Sequence, residues 1–189
     1  MGKAAQDDGS PGGVGADPAR LGNPLDLLLQ DHLFEREICA KLGRMASADN
    51  PDLADLPLML GFLRFARPLH HEDEEADLFP LLRRRCLPED EIDRAIARLT
   101  GDHDAARPET RRVIAILERI EAAGGAPDAE ERAVLADYAA RTERHLTLEN
   151  AVILPLARSR LTPADLETLR RGMLARRGLD RVMEKDDAE

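Results

Sequence analysis

The sequence has no tryptophan, one tyrosine and four phenylalanines, so aromatic residues make up only 3% of its 189. That scarcity excludes the stacking platforms on which single-stranded nucleic acids are held. Basic residues are outnumbered: 27 Lys and Arg stand against 37 Asp and Glu, a formal net charge of −10. Such a surface repels phosphate-rich partners, whether nucleic acid or an anionic membrane. Long apolar runs are missing too. The densest stretch, Leu56 to Leu60 with Phe62 and Leu63 beyond Gly61, falls far short of the roughly 20 residues a membrane helix needs. The opening has no apolar run of the signal-peptide kind, and Gln6 stands where a myristoylation signal wants Ser or Thr. Cys39 and Cys86 are too few for a disulfide framework, so a reducing, cytoplasmic setting is expected.

What is present is enough apolar material, 43% of the chain, for one domain with a core. Residues 1–23 hold Gly2, Gly9, Gly12, Gly13, Gly15 and Gly22 with Pro11 and Pro18, and read as a disordered N-terminal arm. From Asn23 the texture changes. Leu25, Leu28, Leu29, His32, Leu33, Ile38 and Leu42 recur at helical spacing, and Pro24 suits a first turn, which predicts a helix over 24–46. A second helix is expected over 52–85, kinked at Pro68. A third is expected over 90–123, broken near Gly101 or Pro108 and stopped by Gly124-Gly125, and a fourth over 128–158. Thr162-Pro163-Ala164-Asp165 opens a shorter fifth helix. No stretch alternates with a two-residue period. The expectation is an all-α, antiparallel four-helix bundle over 24–160, made of two pseudo-symmetric helix hairpins, with a C-terminal helical tail over 161–189.

The chain repeats itself. His70-His71-Glu72-Asp73-Glu74-Glu75-Ala76-Asp77-Leu78-Phe79-Pro80-Leu81 aligns without gaps on His145-Leu146-Thr147-Leu148-Glu149-Asn150-Ala151-Val152-Ile153-Leu154-Pro155-Leu156. Each segment has His, Glu four later, two large apolar residues and Pro-Leu. An Asp-His pair stands upstream of each, Asp31-His32 and Asp102-His103. Residues i and i+4 share a helix face, so His70 with Glu74, and His145 with Glu149, each form a two-toothed ligand pair. Facing hairpins bring four imidazoles and two carboxylates into the interior, where bundles build their metal sites. Mixed imidazole and carboxylate ligands suit iron, manganese or zinc rather than calcium or soft copper, and two carboxylates between two His pairs suit a dinuclear centre. Pro80 and Pro155 fix the register by lying at the same interval after Glu74 and Glu149. His71 and Glu75, turned about 100° away around the helix, are expected behind the ligands or at the surface.

These residues resemble the hemerythrin family, and more closely its HHE cation-binding branch. His-His-x-x-Glu-Glu followed by Leu-Phe-Pro, and the later His-x-x-x-Glu, carry the likeness over about residues 24–160. The resemblance implies an antiparallel four-helix bundle around a non-haem di-iron centre. Carried over position by position, His32 and His70 ligate one iron, His103 and His145 the other, and Glu74 and Glu149 bridge them. Two departures from the oxygen-carrying hemerythrins stand out. Arg107 replaces a third-helix histidine four after His103, and Glu149 at four replaces an aspartate at five after the fourth-helix histidine. With fewer imidazoles the resemblance points away from reversible storage. It points to binding or reacting with oxygen, peroxide or nitric oxide, or to a regulatory module that answers metal or oxygen through a protein partner without turnover. Ferritin-like Glu-x-x-His pairs are absent, since Leu29, Arg67, Pro68, Thr100 and Thr142 stand three before the histidines.

Tyr138, two turns before His145, is expected to fill a core layer with Leu63, its equivalent before His70; a hydroxyl reaching the metals is the alternative. Cys39 is expected inward as a small apolar residue. Asp31 and Asp102 are candidates for orienting imidazoles through the outer ring nitrogen, from a neighbouring helix. The arginine-rich tail is expected to pack Leu166, Leu169, Met173 and Leu174 with its arginines in solvent.

Overall fold

A computed structural model describes residues 22–179; most of the expected N-terminal arm and the last residues of the tail lie outside that range. Asn23 caps the first helix by accepting the Leu25 N–H at 3.0 Å, and α1 runs Pro24–Ser47. The second rod comprises three α segments, α2 (Leu56–Gly61), α3 (Arg67–Asp73) and α4 (Phe79–Arg85), joined by π-helical turns at Phe62–Ala66 and Glu74–Leu78. The third rod, α5, is continuous over Ile92–Ala123 and is stopped by Gly124 at φ +71, a conformation that glycine adopts without strain. The fourth, α6 (Ala129–Leu148), opens on a capping box between Asp128 and Glu131. It passes through a third π turn, Glu149–Ile153, into α7 (Leu154–Arg160), and α8 (Pro163–Arg176) follows. Among the described residues there is no strand, and no helix is long and apolar enough to cross a membrane. The architecture is an all-α antiparallel bundle.

Two expectations about prolines need correction. Pro108 does not break α5; it sits on the exposed side of that helix, where water can hydrate the carbonyl freed by its missing N–H. Pro68, Pro80 and Pro155 each come two residues after a π turn. Widening the helix there relieves the clash of the proline ring with the carbonyl four residues back. Glu74 and Glu149 themselves each open a π turn.

The apolar core is in two parts. One cluster gathers Ile38, Leu42, Met59, Leu63, Val113, Leu117, Leu135 and Tyr138. The other gathers Leu25, Leu28, Leu78, Phe79, Ile96, Leu99, Ile153 and Leu154. Along every rod a histidine falls between the two clusters, so the apolar layers bracket a polar one from both ends of the bundle.

The tail helix α8 lies on α1, α3 and the second π turn. Leu169, Met173 and Leu174 are buried, but the arginines are not all in solvent. Arg176 and Arg177 reach the buried Asp73 at 2.6 and 2.7 Å, and Arg176 also binds Asp77. Gly172 permits this close approach, because a Cβ there would stand 2.1 Å from an Asp77 carboxylate oxygen. Asp73→Ala leaves both guanidinium groups without their buried partner. Tryptic cleavage in α8 is expected to accelerate about tenfold or more relative to wild type, as removing one partner of a buried pair raises the open population. Equal cleavage rates would show that the apolar face alone holds the helix.

Candidate metal centre

The six sequence-predicted residues come together at mid-bundle. His32 comes from α1, His70 from α3, Glu74 from the second π turn, His103 from α5, His145 from α6 and Glu149 from the third π turn. All six are buried, with His32, His103 and Glu149 at 0% exposure. The four imidazoles turn Nε2 inward. Glu74 presents Oε1 to His32 and His70 (3.8 and 3.6 Å) and Oε2 to His103 (3.5 Å). Glu149 presents Oε2 to His32 (3.4 Å) and Oε1 to His145 and His103 (2.8 and 3.9 Å). Each carboxylate thus has one oxygen toward each histidine pair. His32, His70, Glu74 and Glu149 form one group of potential ligand atoms, and Glu74, His103, His145 and Glu149 form a second that shares both carboxylates.

The outer ring nitrogens have polar neighbours in a two-fold pattern, and those of His32 and His103 are hydrogen-bonded. His70 Nδ1 faces Asp31 at 3.5 Å, and His145 Nδ1 faces Asp102 at 3.6 Å. His32 Nδ1 pairs with Asn150 Oδ1 at 2.8 Å, and His103 Nδ1 with Glu75 Oε1 at 2.7 Å. Such partners fix the tautomer that leaves Nε2 free to coordinate. Asp31 and Asp102 reach across to the next helix of their hairpin. Asn150 escaped the sequence reading, although it stands in the repeat where Glu75 stands.

The interior chemistry is unsatisfied. Both oxygens of Glu74, Oε2 of Glu149, Nε2 of His32, both ring nitrogens of His70 and Nδ1 of His145 are buried without a hydrogen-bond partner. Each such group costs about 1–3 kcal/mol, so a layer of them calls for a cation. Burial, and then the Glu149 charge, push the Glu74 carboxyl well above its ordinary value. Burial opposes the Glu149 charge as well, but the neighbouring rings of His103 and His145 outweigh it and hold Glu149 well below the usual range. Burial also works against a proton on His70, yet Glu74 and then Asp31 prevail and raise it to about 9. The donor set of imidazole nitrogens and carboxylate oxygens fits borderline divalent ions such as iron, manganese or zinc.

Other singled-out residues fall as follows. Tyr138 is in the core layer with Leu63, and its hydroxyl pairs with Thr110 Oγ1 at 3.2 Å; burial pushes it up to about 12. Cys39 is buried, its thiol raised to about 12 chiefly by burial. Cys86 sits at the end of α4, and burial, then Asp90, raise its thiol. The arginines before it are held by Asp93 and Asp165. His71 is half-buried: its ring stacks on that of His103, centroids 3.8 Å apart and planes 10° from parallel.

Two openings approach the layer. A cleft of about 690 Å³ between the second rod and α5 is lined by Leu63, Arg67, His71, Glu75, Arg107 and Arg111. A smaller cavity of about 230 Å³ reaches His103 and His145 past Asp102, Tyr138 and Thr142. Both lie on the His103 side.

No curated protein matches the chain. The family model of the hemerythrin HHE cation binding domain matches residues 23–157, the whole bundle that carries these imidazoles and carboxylates. The chain belongs to the hemerythrin HHE cation-binding domain family.

Proposed function

We propose that this protein holds two iron ions at the centre of its bundle and there binds or reacts with a small oxidant: oxygen, peroxide or nitric oxide. The observation that carries the reading is the pair of buried carboxylates, each with one oxygen toward either histidine pair, and neither oxygen of Glu74 hydrogen-bonded. In this reading His32 and His70 serve one ion, His103 and His145 the other, and Glu74 and Glu149 bridge them. Bound iron supplies one-electron redox chemistry and an exchangeable position for a small ligand. The chain's own part is positional. Asn150 and Glu75 hold the rings of His32 and His103 in their tautomers, Asp31 and Asp102 set a carboxylate near the outer nitrogens of His70 and His145, and the apolar layers above and below keep bulk water from the centre. The bundle over 24–160 carries the site, residues 161–189 are an appended tail, and the setting is cytoplasmic.

A second reading, a regulatory module that signals through a protein partner, draws on one observation. The tail helix is clasped to Asp73 and Asp77, on either side of Glu74, so a change at that glutamate adjoins a surface element.

Protein purified without chelators or added metal is expected to contain two irons per chain by elemental analysis, with a visible charge-transfer band that bleaches on reduction. One zinc, or no metal, overturns the di-iron reading.

A further inference from the structure

The repeat that places the proposed ligands in pairs departs at a half-buried position beside the centre. His71 corresponds to Leu146, which is fully buried. One half of the centre therefore carries an extra imidazole where the other half carries an alkyl group. His71 stands over His103, 3.8 Å between centroids with the planes nearly parallel, and its ring centroid is 6.1 Å from that of His145. It also lines the cleft between the second rod and α5, so it separates that opening from the His103 and His145 half.

Its nitrogens lie near those of His103 and His145, which suggests a further metal ligand, but the ring orientation argues otherwise. The lone pair of an imidazole nitrogen lies in the ring plane. Rings stacked face to face aim their lone pairs along parallel planes and do not converge on one ion. Among the described residues His71 has no hydrogen-bond or ion-pair partner. Neutral or protonated, an imidazole carries at least one N–H donor. That donor sits at the boundary between the centre and a cleft whose wall carries Arg64, Arg67, Arg107 and Arg111 against Glu72 and Glu75.

We propose that His71 is a non-coordinating hydrogen-bond donor to a small oxygen- or nitrogen-based anion that enters by this cleft and binds on the His103 and His145 half of the centre. The mirror-related half, with Leu146, has no such donor, so exogenous ligands bind one half in preference to the other. This rests on the dinuclear reading given above.

The test has two parts. First, wild-type protein is loaded with zinc, a diamagnetic probe, and its imidazole nitrogens are followed by long-range 1H–15N NMR. The chain has five histidines; four are expected to show metal-bound nitrogen shifts, and His71 none. Five shifted rings make His71 a ligand and overturn the inference. Second, azide is titrated into iron-loaded wild type, His71→Leu and His71→Gln. His71→Leu is expected to bind azide about tenfold more weakly, the effect of one lost hydrogen bond, at unchanged iron content. His71→Gln, which keeps an N–H donor, is expected to recover part of the affinity. Equal azide affinity in wild type and His71→Leu overturns the proposal. Fewer than two metals per wild-type chain, read before azide is added, overturns the dinuclear reading and this inference with it, and is told apart at that step.

Discussion

Metal-free Glu74→Gln protein is expected to be more stable than metal-free wild type, and the order is expected to reverse once metal is supplied. In the empty site Glu74 is a buried carboxyl with no hydrogen-bond partner, its pKa raised well above the ordinary value by burial and by Glu149. Glutamine keeps the shape and removes the charge, which is worth about 1–3 kcal/mol at neutral pH. The sign follows from linkage. A carboxyl whose folded pKa is raised loses stability as pH rises from its unfolded value, about 4.3, through the folded one. The gap between variant and wild type therefore opens with rising pH and closes near pH 4. Metal inverts the comparison, because Glu74 would be a ligand to both ions and glutamine is a poor one. Wild type gains about 4 kcal/mol for a site filled at a thousandfold its Kd, and the variant gains little. Melting curves with chelator and with ferrous iron, for both proteins and across pH, check the prediction. A variant less stable than wild type in chelator would falsify it.

The second large effect lies beside the centre. Arg67 and Glu35 are a buried pair, 5% and 3% exposed, with Nε donating to Oε1 at 2.6 Å. Arg67 also donates to Thr110 Oγ1 at 3.1 Å and lies over the Tyr138 ring. Removing the guanidinium leaves the Glu35 charge with no partner among apolar neighbours. Arg67→Met is expected to cost about 3–5 kcal/mol. A double variant, Arg67→Met with Glu35→Leu, is expected to recover most of that loss, since replacing both partners of a buried pair by apolar groups is often neutral or stabilising. Urea unfolding of the metal-free proteins gives the full double-mutant cycle. Additive losses, with no recovery in the double variant, would mean that the packing of the Arg67 stem, and not the charge, holds this layer together.

Much of the bundle was legible because its signals are local. Helical periodicity, Asn23 before Pro24 and Gly124 act within one or two turns of chain, and they set where helices begin and end. The i, i+4 spacing of His70 with Glu74, and of His145 with Glu149, fixes their common face by helix geometry alone. Pro108 misled because a proline's cost depends on whether the carbonyl it orphans meets water, and that is decided by which side of the bundle the residue faces. The tail arginines misled for a related reason. Exposed charge is the ordinary state of an arginine-rich helix, and nothing near Arg176 in sequence announces Asp73.

By itself the sequence determined the class of fold, the duplicated motif and the common face of each His-x-x-x-Glu pair, because each depends on spacing along a single helix. Only the tertiary structure decided the rest. It set the π turns that open at Glu74 and Glu149, the Nδ1 partners Asn150 and Glu75, the stacking of His71 on His103 and the clasp of the tail on Asp73. Each of these is a contact between rods, and its energy depends on how neighbouring helices approach and rotate, which no spacing within one helix specifies.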